Sequence, residues 1–102
     1  MISTTKEAAY AEVVISQGFT IVYRLYETTS HRRCFYSVKA EIKESGESQI
    51  AADITSDKEK AHIMFDMIHH GTVTPCCLRE VVEDLIESLI LRHHTHDHSS
   101  CL

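Results

Sequence analysis

The stretch D-I-T-S-D-K-E-K-A-H-I-M-F-D-M-I-H-H-G-T-V-T-P-C-C-L-R-E-V-V-E-D-L-I-E-S-L-I-L, residues 53–91, decides the reading of the chain. Ser56 followed by Glu59 has the spacing of a capping box, in which each side chain satisfies a free backbone N–H of the other's turn. Ala61, Met64, Phe65 and Ile68 then recur at helical spacing on one stripe. Gly71 stands where a helix can stop in the left-handed region without a Cβ clash. Thr74 and Pro75 open a second helix, because Pro at the first helical position gives up an N–H that has no partner there anyway. Leu78, Val81, Val82, Leu85, Ile86 and Leu89 keep one apolar face through it. The expected helices cover residues 56–70 and 75–92.

Upstream, the periodicity changes from helical to two-residue. Cys34, Tyr36, Val38, Ala40 and Ile42 alternate with Arg33, Ser37, Lys39, Glu41 and Lys43, with Phe35 alone breaking the pattern. Residues 20–29 alternate Ile21, Tyr23 and Leu25 with Val22, Arg24 and Tyr26, and residues 10–15 contain the β-branched run Val13-Val14-Ile15. Ile50, Ala52 and Ile54 alternate after a hairpin connection centred on Gly46. Residues before about Ala8 show no period and read as a frayed terminus. Turns are expected at Gln17-Gly18 and at residues 29–32. Short connections make neighbouring strands antiparallel. The expected fold is therefore α+β: a meander of three to four strands with two C-terminal helices on one face, in the order β-β-β-β-α-α.

A chain of 102 residues with one continuous set of amphipathic segments is expected to form a single domain over residues 1–92. It is followed by a histidine-rich tail over residues 93–102, which offers almost nothing to bury. No basic region followed by an apolar run opens the sequence, and no stretch reaches the roughly 20 apolar residues of a membrane span. A cytoplasmic protein is expected. The formal net charge of −5 disfavours nucleic acid. Cys34, Cys76, Cys77 and Cys101 are expected as free thiols, with Cys76 and Cys77 on different sides of a helix.

The segments D-I-T-S-D-K-E-K-A (Asp53 to Ala61) and V-T-P-C-C-L-R-E-V-V-E-D-L (Val73 to Leu85) resemble a family of small uncharacterised proteins of Gram-positive, spore-forming bacteria. The resemblance covers roughly half the chain and leaves the first twenty residues and the tail outside it. It implies no established activity and carries over no catalytic or binding residue.

Four features bear on function. Glu80, Glu83, Asp84 and Glu87 form an acidic stripe on the second helix, a docking surface for a basic partner if not simply a solvated face. The same acids argue against a DNA-binding helix-turn-helix, since they would face phosphates. Ile63 and Met67 widen the apolar stripe of the first helix beyond what packing on a sheet needs, and Ile90 and Leu91 join Leu89 in a second cluster; self-association or a partner would cover them. His62, Asp66 and His70 recur every four residues, and with His69, His93, His94, His96, His98 and Cys101 they form a donor set suited to zinc, nickel or copper. Finally, Cys76 and Cys77 at a helix start are placed to form a thiolate, although cysteine there also packs as a small apolar residue.

No nucleophile elbow, phosphate loop or metalloprotease helix is present, and catalysis is not expected. The expected function is a small non-catalytic protein-interaction or regulatory module, the alternative a metal-handling protein.

Overall fold

The computed structural model describes residues 3–15 and 18–91. Four antiparallel strands, β1 (Thr4–Val14), β2 (Thr20–Ser30), β3 (Arg33–Ile42) and β4 (Ser48–Thr55), form a meander in the order β1-β2-β3-β4. Two helical elements follow. The first is α1 (Lys58–His70); the second runs as a 3-10 turn (Pro75–Cys77), α2 (Leu78–Ile86) and a wide terminal turn (Glu87–Leu91). The expected α+β architecture is the observed one.

The strand period sets the core. Ile21, Tyr23 and Leu25 of β2 pair with Ile42, Ala40 and Val38 of β3, so these residues share one face. That face carries the helices, with Ile21, Tyr23, Leu25, Val38 and Ala40 fully buried beside Ala61, Met64, Ile68 and Leu78. Tyr36, Phe65 and Val82 complete the core, whereas Leu85 and Leu89, on the apolar face read for the second helix, are half-buried at its margin.

Several local expectations are corrected. β1 begins at Thr4, so residues 4–7 are paired strand and not a frayed end: Thr4 pairs with Thr29 and Glu7 with Tyr26. All four of these residues are exposed, so neither face imposes an apolar period on them, and a bulge at Ala8 then shifts the register of the rest of the strand. In β4 the inward residues are Ala51 and Ile54, while Ile50 and Ala52 are exposed. The cause is a second irregularity. Between Tyr36 and Val38 the partner strand advances from Thr55 to Ala51, four steps against two, with Asp53 at φ 55°. The Asp53 N–H donates to Ser37 Oγ at 3.4 Å across this bulge. A register shift of this kind changes which side chains face the core.

The helix boundaries move too. Asp57, not Ser56, caps α1, its carboxylate accepting from the Lys60 N–H at 3.0 Å. Gly71 sits at φ −83°, and Thr72 takes the left-handed conformation at φ 53°. What Gly71 supplies is space, because a Cβ there would lie 3.1 Å from the Met67 carbonyl oxygen. The second helix does not begin as an α-helix at Pro75; its first turn is wound tighter. The turn between β2 and β3 is His31-Arg32, both at positive φ (54° and 68°), the backbone that a two-residue hairpin matched to strand twist demands. Gly18 is described at φ 90°, while Gln17 lies outside the described residues.

Candidate partner-binding surfaces

The helices cover one face of the sheet and leave three surfaces of their own layer open. The first is the outside of α1. Ile63 and Met67 are one turn apart and stay 42% and 48% exposed, as the breadth of the stripe predicts. Ile90 and Leu91, expected to extend the apolar surface of the second helix, have side chains outside the described residues.

The histidines of α1 are engaged locally. His69 Nε2 lies 3.3 Å from Asp66 Oδ1, and its ring packs near Phe65 and Tyr23, with centroids 5.1 and 6.4 Å away. His70 Nδ1 lies 2.8 Å from the Asp66 backbone carbonyl, so this ring finishes the last turn. Among the described residues no three His, Cys, Asp or Glu side chains are grouped to hold a metal ion. His62, Asp66 and His70 are therefore not brought together as a three-ligand site. His93, His94, His96, His98 and Cys101 lie outside the described residues.

The second surface is α2. Glu80, Glu83, Asp84 and Glu87 are all exposed, and among the described residues no ion pair uses them. Just before α2, Cys76 and Cys77 are exposed with sulfurs 3.9 Å apart, and Cys76 Sγ is 3.4 Å from Thr74 Oγ1. In the 3-10 turn the two thiols are neighbours, not on opposite sides of a helix. Cys34 is half-buried, its thiol donating to Glu27 Oε2 at 3.2 Å.

The third surface was not legible in the sequence. α2 lies along β4, and between them runs a groove of about 380 Å³ lined by Ile50, Ala51, Ala52, Arg79, Val82, Glu83 and Ile86. On α2 the lining residues fall at i, i+3, i+4 and i+7, so they form one row. The only available signal was the apolar and charged mixture of that row. Its meaning depends on the register of β4, which the bulge at Asp53 sets.

On the opposite face of the sheet, Arg24 pairs with Glu7 at 3.2 Å and lies 3.9 Å from Glu41, with its guanidinium 5.1 Å from the centre of the Tyr10 ring. The Tyr10 hydroxyl donates to Glu12, which raises the phenol pKa above its ordinary value. Exposed charge pairs of this kind contribute little stability. They keep the uncovered face polar.

A family model described as a family of unknown function, DUF6514, matches residues 3–88. The chain belongs to the DUF6514 family. The match spans all four strands, α1 and α2, including the first strand, which lay outside the resemblance read from the sequence. It stops before residues 93–102, so family membership does not extend to the histidine-rich tail. No curated protein and no solved structure matches the chain. No helix among the described residues is long and apolar enough to cross a membrane.

Proposed function

We propose that this DUF6514 member is a non-catalytic interaction module whose helical layer docks a protein partner. The observation that carries the reading is the pair Ile63 and Met67, two large apolar residues one turn apart and nearly half exposed on a helix whose other face is already packed. Leaving both in water forfeits the free energy of their burial, which a partner recovers. The acidic row Glu80, Glu83, Asp84 and Glu87 supplies the charge contrast that selects a basic partner and speeds its encounter.

The test is site-specific photo-crosslinking in the source cell, with the crosslinker at Met67, at Asp84 and, as control, at Tyr10 on the uncovered sheet face. A discrete adduct at Met67 or Asp84, lost in Ile63→Glu, supports the module. Labelling that is equally strong at Tyr10, or unchanged by Ile63→Glu, overturns it.

A further inference from the structure

A sheet open at both ends must protect two edges, and here the two are protected unequally. The β1 edge carries Lys6, Glu7 and Glu12 and is bent by the bulge at Ala8, the devices that stop one strand edge from pairing with another. The β4 edge is bent and charged only at its far end, by the bulge at Asp53; over residues 48–51, Ser-Gln-Ile-Ala, its pairing is regular and it carries no charge and no proline. Directly beside it lies the groove whose wall is Arg79, Val82, Glu83 and Ile86.

That wall is self-complementary. Arg79 and Glu83 have opposite charge and stand one turn apart, and a two-fold axis reverses the direction of the second copy's helix. Each Arg79 is then carried to the other copy's Glu83, twice over, with Val82 between the pairs and Ile86 flanking them. Among the described residues no ion pair within the chain uses Arg79. In a chain of net charge −5, a cation at the axis also offsets the repulsion that two copies otherwise meet.

We infer that the groove between β4 and α2 is a homotypic interface, in which β4 pairs antiparallel with β4 of a second copy about an axis near Ala51. Ile50 of each copy lies opposite Ala52 of the other, and the two sheets join into one of eight strands. The occupant is a second copy because the row of charges matches its own reverse. The surface is distinct from the outside of α1, on which the partner-docking reading rests, and shares only Glu83 with the acidic row of α2.

Sedimentation equilibrium at micromolar concentration tests it, on the full chain and four variants. The native chain sediments at twice 11.6 kDa. Arg79→Glu and Glu83→Arg each weaken association by roughly tenfold or more, because each places like charges together. The double variant Arg79→Glu/Glu83→Arg restores it, and Met67→Glu leaves it unchanged. Backbone amides of residues 50–52 exchange more slowly as protein concentration rises.

A native chain that stays at the mass of one copy overturns the inference, as does a dimer indifferent to both charge reversals. A dimer broken by Met67→Glu with β4 exchange independent of concentration also overturns it, assigning self-association to α1. Because the double variant restores the charge pairs while keeping both substitutions, its recovery separates loss of the interface from loss of the fold.

Discussion

The Tyr23 hydroxyl donates to the Val73 carbonyl at 2.7 Å, tying the middle of β2 to the turn between the two helices. The ring is fully buried in the core, and the bond satisfies a carbonyl that follows the end of α1. Tyr23→Phe keeps the ring and removes the donor. Chemical denaturation is expected to show a loss of about 0.5–1.5 kcal/mol, the net worth of one hydrogen bond, because the part-buried Val73 carbonyl keeps access to water.

The same residue makes stability fall in alkali. Burial pushes the Tyr23 phenol up to about 12. In the unfolded chain it titrates near 10, so between those values the folded state holds a proton that the unfolded state has released, and stability falls as pH rises. Below pH 10 both states are protonated and the term is constant. A denaturation series from pH 9 to pH 12 is expected to be flat at its start and then to decline by up to about 1.4 kcal/mol per pH unit for this group. The wild-type decline should be steeper than that of Tyr23→Phe.

Core position outweighs apolar character along α2. Leu78 is fully buried, while Leu85 is half-buried at the margin. Leu78→Ala is expected to cost about 2–5 kcal/mol. Leu85→Ala costs less, and Glu83→Ala almost nothing in the isolated fold. Urea midpoints at constant slope measure all three.

The His31-Arg32 turn holds two residues with side chains in the left-handed region, where each costs roughly 1–2 kcal/mol. Replacing the pair by Asn-Gly suits that backbone. The melting temperature is expected to rise by about 4 °C or more, since about 1 kcal/mol corresponds to such a shift in a domain near this size. An unchanged or lower value would show that the side chains hold the turn for another reason.

The thiols are expected to divide by access. Cys76 and Cys77 are exposed with sulfurs 3.9 Å apart, whereas Cys34 is half-buried against Glu27. Thiol titration of a Cys101→Ser variant should show two fast equivalents, both lost in Cys76→Ser/Cys77→Ser, and one slow equivalent exposed by denaturant.

The strands, the helices, their order and the buried faces of β3 and of both helices were legible in the chain, because they rest on periods of two and 3.6 residues that side chains carry wherever one face is packed. Tyr36, Val38, Phe65, Ile68 and Leu78 could be assigned to the core from spacing alone, as could Ile63 and Met67 to its exposed flank. Residues 4–7 and the inward side of β4 could not. Residues 4–7 are exposed on both faces and carry no period to read, and the bulge at Asp53 resets the period of β4; a bulge arises from strand pairing, not from a local preference of the residues in it. Nor could the choice of Asp57 over Ser56 as cap, since both have the right chemistry and the path of β4 into the helix selects one. The groove between β4 and α2 belongs to the same class. Ile50 and Glu83 are distant in sequence, and only the packing of α2 along an edge strand makes them neighbours.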